Sequence, residues 1–281
     1  GGSVQINTQD FPSKRLLNLS ASVGGNLQTV FQPMLTYRGG ALDFLGIDDG
    51  TRALPTHKAG QSATDFARSF PNIWMPRRAE LGSPNYSFSA VLGDQVHVKE
   101  AKVGYLLSLL YSADTQTREE EVQVLNLVDG GSGPQLRSLV QFGNAGGDFS
   151  QKRGPYSVRT TYSTQWGSLA TVSVQPSLLH RISLVGLFTQ NGDREARIYQ
   201  GYSQEQFSEV WNSRLRFIAR SMGFAQLSGT HRFERASSSA LGAGDLDWSL
   251  TYAAAARAEP DNRELTYIRK DDGLLHFTPK G

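Results

Sequence analysis

The sequence predicts an all-β protein, an antiparallel transmembrane β-barrel segment, and three observations carry that expectation. Apolar and polar residues alternate with period two along several stretches. In one of them, Arg214–Phe233, the alternation lasts about twenty residues, whereas a soluble strand usually has ~5–6. Short turns also alternate with long connections, the asymmetry typical of outer-membrane barrels.

Taken in order, Arg15–Val23 puts Leu17, Leu19, Ala21 and Val23 on one face and Asn18, Ser20 and Ser22 on the other. Gly24-Gly25-Asn26 then reads as a tight turn, followed by a second strand over Leu27–Tyr37 with Pro33 as a bulge or edge defect. Tyr86, Phe88, Ala90 and Leu92 alternate with serines up to a Gly93-Asp94 turn, and Val103, Tyr105, Leu107, Leu109 and Tyr111 make the next stripe. Leu169–Val174 and Leu179–Gln190 form a hairpin closed at Gln175-Pro176-Ser177. Arg214–Phe233 follows, with Leu215, Phe217, Ala219 and Leu227 on its odd face and Arg214, Arg216, Arg220 and Gln226 on its even face. The last stripe is Leu246, Trp248, Leu250, Tyr252, Ala254 and Ala256. Long connections are expected over about 38–84, 113–163 and 191–213. A soluble sandwich or propeller also alternates, but its strands are shorter and its loops less regular.

Composition narrows the function classes. The chain has 281 residues, 29 of them glycine, and a net charge of +2, so no strong field favours nucleic acid. With no cysteine, disulfides, thiolate catalysis and Cys-ligated metal sites are excluded together. No apolar run approaches the ~20 residues of a membrane-spanning helix; Val103–Tyr111 is broken by Gly104 and Ser108. A negative mean hydropathy fits a barrel too, because only alternate residues of its strands face lipid. Opening without methionine on Gly1-Gly2-Ser3-Val4, the chain reads as a piece of a longer protein.

Gly1-Gly2-Ser3-Val4-Gln5-Ile6-Asn7-Thr8 resembles the strand that ends the plug domain of TonB-dependent outer-membrane receptors, and Phe11-Pro12-Ser13-Lys14-Arg15 resembles the passage from plug to barrel. Leu45-Gly46-Ile47-Asp48-Asp49-Gly50-Thr51-Arg52-Ala53-Leu54-Pro55 is similar to a loop of the large receptors in that family that carry a carboxypeptidase-regulatory-like N-terminal domain. Ala258–Leu265 resembles another loop of the group. The resemblance implies residues 1–14 as the end of the plug and its linker, and 15–281 as the first part of a barrel of about 22 strands. It also implies location in the cell outer membrane and three sets of partners: outer-membrane lipid, the rest of the plug and barrel, and the TonB complex acting through a preceding segment. The TonB box, most of the plug and the later strands of the family pattern are not in this sequence.

Candidate site residues follow. Asp48, Asp49 and Gly50 with Arg52 suit a structural turn held by an ion pair; calcium is the alternative, although the spaced acidic ligands of an EF-hand loop are missing. Arg214, Arg216 and Arg220 share a face and suit an anionic substrate or plug group, or a salt-bridged wall. Trp74, in Phe70–Pro76, suits ligand contact or loop packing, and Trp248 an interfacial girdle. Gly130-Gly131-Ser132-Gly133-Pro134 lacks the Lys-Ser/Thr of a phosphate loop, and the five histidines show no metal-ligand spacing. The chain therefore reads as non-enzymatic and cofactor-free.

Nutrient or ligand import is the leading expectation. The alternatives are a non-transporting outer-membrane module for adhesion or complex assembly, and an outer-membrane enzyme. Orientation carries a conflict. A first strand leaving a periplasmic plug runs outward, yet the predicted turn at 24–26 and a strand over 27–37 would then send the long 38–84 segment to the periplasmic side.

Overall fold

The computed structural model describes residues 12, 14–79, 81–119, 125–129, 134–138, 140–141, 157–203, 208–234 and 243–278. The expected plug strand at 1–8, Phe11 and Ser13 of the linker, the glycine-rich 130–133, about half of the expected 113–163 connection and most of the turn at 234–245 lie outside the described residues; the two ends of 113–163 are strand, because β5 runs to Glu119 and β9 starts at Ser157.

Among the described residues thirteen strands, numbered in chain order, are β1 (Leu16–Gly24), β2 (Met34–Thr36), β3 (Arg77–Ala79), β4 (Asn85–Val98), β5 (Ala101–Glu119), β6 (Leu125–Asp129), β7 (Pro134–Ser138), β8 (Val140–Gln141), β9 (Ser157–Ser177), β10 (His180–Ser203), β11 (Ser208–Phe233), β12 (Gly244–Arg269) and β13 (Leu275–Phe277). A short helix, α1 (Ala63–Arg68), and a 3-10 turn over Asp43–Leu45 lie between β2 and β3. The chain is thus all-β. Its main sheet is antiparallel and follows the path β1-β4-β5-β9-β10-β11-β12-β13, with β8 beside β10. The ends of that path do not pair with each other, so the sheet is open, as a segment of barrel wall must be.

The period-two stripes fall in register from strand to strand. Tyr252, Ala225, Gly186, Ala170, Leu107, Leu92 and Leu17 form one continuous row across β12, β11, β10, β9, β5, β4 and β1. The row carrying Leu250, Leu227, Leu184, Val172 and Tyr105 lies beside it. These apolar side chains face outward: Leu184, on an inner strand, is 50% exposed and Leu109 59%. On the opposite face Thr171, Ser173 and Ser183 are buried, with Ser173 Oγ 2.7 Å from Ser183 Oγ. That second face is mixed over β9–β11, where Val185 is also buried and Leu169, Leu187 and Phe224 lie in one row. Leu106 and Leu110 make the second face of β5 more mixed.

Aromatic rings border the apolar zone at both ends. Tyr86, Tyr111, Trp166 and Phe188 mark one border, with ring centroids 6.0 Å apart for Tyr86–Tyr111 and 5.3 Å for Trp166–Phe188. His180, His231, Phe233 and Trp248 mark the other. On β12 the borders are Trp248 and Ala256, the latter in the row of Trp166. That separation is about 27 Å along the strand, or about 20 Å in height at the usual barrel tilt, close to the ~25 Å of an apolar band.

Several expected boundaries move, each for a local reason. Gly24-Gly25-Asn26 closes no hairpin. Asn26 O accepts from Thr29 N and Val30 N, both at 2.8 Å, and Asn26 Oδ1 accepts from Gln28 N at 2.8 Å, so this backbone coils instead of extending. Of Leu27–Tyr37 only β2 is a strand, and it pairs with β3; β1 pairs with β4. Gly93-Asp94 lies inside β4, because β1 and β5 bond that strand from both sides; the turn is Lys99-Glu100, with Lys99 at φ 57. The supposed loop 191–213 is largely ladder, since β10 and β11 pair from His180↔His231 to Ser203↔Ser208. The loop over Ala258–Leu265 is also strand, its Glu259-Pro260 absorbed where the register shifts opposite Phe217/Ala219.

Because 27–37 contributes no strand to the main sheet, the chain does not cross the sheet between β1 and β4, and the orientation conflict disappears. The strand ends Gly24 and Asn85, Glu119 and Ser157, and Ser203 and Ser208 lie at one rim, and Val98 and Ala101, Ser177 and His180, and Phe233 and Gly244 lie at the other.

Candidate functional site

Beyond the upper aromatic border the same outward face is roofed by residues 25–84. This insertion is zipped near its base by the β2–β3 pair and by the exchange between Gly82 and the backbone of Phe31 and Gln32. Leu35 and Tyr37 pack on Ala196 and Leu215, with Ile73, Val158 and Ile198 around them. Tyr37 donates its hydroxyl to Arg216 O at 3.0 Å, and burial pushes its pKa up to about 12.

The Asp-Asp-Gly loop lies within this roof. Three successive carbonyls ahead of it are held by side chains from three adjacent strands. Tyr111 Oη donates to Phe44 O at 2.9 Å, Trp166 Nε1 to Leu45 O at 2.9 Å and Gln190 Nε2 to Gly46 O at 2.6 Å. Gly46 (φ 66) sits against Gly192; a Cβ on Gly192 would come within 2.2 Å of the Gly46 Cα. Glycine is required at both positions by that backbone contact.

Each expected loop residue has a partner. Asp49 accepts from Thr51 Oγ1 at 2.7 Å, from Thr51 N at 3.1 Å and from Ala41 N. The Thr51 hydroxyl bond, then the backbone bonds, hold its carboxyl down at about 2. Gly50 takes φ 82, as the turn demands. Arg52 is buried, bonds Asp43 at 2.6 Å, lies 3.6 Å from Asp48 and stacks 4.0 Å from the Phe217 ring centroid. Asp43 also receives Arg194 at 3.3 Å. The carboxylates are thus turned to backbone, hydroxyl and guanidinium partners that fasten the loop to β10 and β11.

Trp74 sits at the far side of the roof, where the Arg263 guanidinium lies 4.9 Å from its ring centroid. Arg263 bonds Asp261 at 2.8 Å, Pro71 O at 2.7 Å and Ile73 O at 2.9 Å, tying the loop around Trp74 to β12. Between Trp74's loop and the Asp-Asp-Gly loop is a cleft of about 540 Å³ lined by Tyr37, Asp49, Arg52, Pro71, Ile73 and Arg263, among others.

The three candidate arginines of β11 lie on the opposite face. Arg214 donates to Glu195 Oε1 from Nη2 at 2.7 Å and from Nε at 3.0 Å, and Arg216 donates to Oε2 at 3.0 Å. Burial raises the Glu195 pKa, but the Arg214 hydrogen bond and the charges of Arg214, Arg216 and Arg159 outweigh it and hold the group below its ordinary value. Arg220 pairs instead with Asp193 and Asn191. Arg214 and Arg216 therefore meet at one carboxylate, Arg220 stands apart, and Trp74 belongs to the other face.

The sequence reading missed Asp43, Arg194, Glu195 and Arg263. A signal was present: Asn191, Asp193, Glu195 and Arg197 alternate with Gly192, Ala196 and Ile198, continuing the stripe of β10 past Gln190. Charge made that segment resemble a loop. In comparisons with protein-family models, curated proteins and solved structures, nothing matches this chain.

Proposed function

We propose that this chain is part of an outer-membrane TonB-dependent receptor, the early strands of a plugged barrel that imports a nutrient or ligand. One observation carries the proposal: an outward apolar zone, bordered by aromatic rings and about 20 Å in height against the ~25 Å of a barrel's apolar band, across an open antiparallel sheet whose other face buries hydroxyls. The strand ends flanking the long connections lie at one rim and support the same reading, with that rim extracellular. The resemblance of 1–15 and 45–55 narrows it to the large receptors of the family. The role proposed is transport, without catalysis.

The test uses the full-length parent in its own cells. The segment has no native cysteine, so single cysteines introduced here report their surroundings. A membrane-impermeant maleimide should label Thr56→Cys on intact cells and Lys99→Cys only after the outer membrane is permeabilised. The parent should also bind the purified periplasmic domain of TonB, and lose that binding when the segment ahead of the plug is deleted. Equal labelling of both cysteines on intact cells would refute the orientation; a membrane-inserted parent that ignores TonB would be the non-transporting module.

A further inference from the structure

Strand register brings together two histidines that lie 51 positions apart in the chain. His180, the first residue of β10, stands directly opposite His231, near the end of β11. Arg232 N donates to Leu179 O at 2.8 Å, one residue nearer the rim than either histidine. The two are therefore a non-hydrogen-bonded cross-strand pair, the kind whose side chains stand closest. Their Nδ1 atoms are 3.2 Å apart, and both residues are half-buried.

The neighbouring rings hold the pair in place. Trp248 lies over His231 with ring centroids 6.4 Å and planes 17° apart, and Phe233 meets His180 edge-on at 5.8 Å. Trp248 reaches that position across Gly229, its partner in the ladder. A Cβ on Gly229 would come within 2.4 Å of the indole Cε2, so glycine is what lets the indole lie there.

A hydrogen bond between the two rings uses one nitrogen of each and lasts only while at least one ring is neutral. Protonating both would set two positive charges directly opposite each other, which a sheet disfavours. A divalent metal in place of the shared proton removes that conflict, because imidazole ligates as the neutral ring. At the ~2.0–2.1 Å of a zinc–imidazole bond, two ligands at a tetrahedral angle stand ~3.3–3.4 Å apart. The pair already has nearly that separation. The right-angled geometry of copper(II) would need a smaller one.

We infer that His180 and His231 form a two-histidine site for a zinc ion, bound through both Nδ1 atoms at the open end of the β10–β11 hairpin. No third histidine and no carboxylate joins them among the described residues, so water fills the other positions and the ion exchanges with solution at the rim. Zinc there would fasten β10 to β11 at the end farthest from their own connection. The site goes beyond the proposed receptor function and does not depend on it.

The probe is zinc chloride, added to the full-length parent after treatment with a chelator. Zinc should protect His180 and His231 from carbethoxylation by diethylpyrocarbonate, read peptide by peptide by mass spectrometry, while His57 in the roof reacts as before. In His231→Gln the zinc concentration that half-protects His180 should rise at least tenfold, and His180→Gln should do the same for His231. Removing even a hydrogen-bond partner of a zinc ligand costs about 10–100-fold in affinity, and here a ligand itself is lost. His57→Gln should leave the half-protecting concentration unchanged, and circular dichroism checks that each variant stays folded.

Equal modification of His180 and His231 with and without zinc in the wild-type protein would overturn the inference without recourse to any variant. So would protection of His180 in His231→Gln at the wild-type zinc concentration, since one imidazole would then suffice. Failure of the receptor reading is separable. It would show as a parent found outside the outer membrane, whether or not zinc protects the pair.

Discussion

Replacing Leu184 by arginine separates a membrane wall from a water-soluble sheet. Leu184 lies on an inner strand between Val172 and Leu227, and half of its surface is open. It stands two residues above Ile182, which shares the row of Trp248 at the lower border, and two below Gly186 in the central row. Each two-residue step is about 5 Å in height, so Leu184 is about 5 Å from the middle of the band. A lipid-facing arginine there should cost about 2–3 kcal/mol, a little under the midplane maximum. In water the same exposed position should change stability by about 0.5 kcal/mol or less. Gln226→Arg, on the opposite face between Val185 and Thr251, should cost little in either setting. Reversible urea unfolding of the full-length parent in lipid vesicles measures both, and the Leu184→Arg midpoint should fall by on the order of 1 M. A Leu184→Arg protein as stable as wild type in vesicles, or a larger loss for Gln226→Arg, would refute the assignment of the faces.

Gly192→Ala should lift the roof from the wall, because its Cβ would meet the Gly46 backbone; limited proteolysis should cut 25–84 faster while the sheet stays resistant. The Glu195 cluster should confer an acid-sensitive increment of stability. Its folded pKa is depressed, so the stabilisation is present above the ordinary value near 4.5 and is lost as pH falls through the lowered one. Protection factors of β10 and β11 amides should fall there, and Glu195→Gln should abolish that pH dependence.

The stripes were legible because alternation is local: each residue of Leu246–Ala256, or of the set Val103, Tyr105, Leu107 and Leu109, declares its face without knowing its partner strand. Pairing was less legible. Leu27–Tyr37 has strand-like composition, but Asn26 nucleates a coil whose closing partner, Gly82, is distant in sequence. Residues 191–213 look polar enough for a loop, and only the register that sets Arg214 and Arg216 against Glu195 makes them strand. The Asp-Asp-Gly loop announced a turn and its Arg52 partner, whereas its attachment to Tyr111, Trp166 and Gln190 joins stretches that no local pattern connects.

The roof also sets an order of events for assembly. β4–β5 and β9–β10 are joined by two-residue turns, but β1 can meet β4 only by closing over about 60 intervening residues. Chain entropy makes that closure about 3 kcal/mol costlier than closing a two-residue turn. The carbonyls of Phe44, Leu45 and Gly46, moreover, find their donors only once β5, β9 and β10 lie side by side. The wall hairpins therefore form first, the insertion settles on them second, and β1 adds last, leaving the newest strand at the edge where the rest of a barrel would have to close.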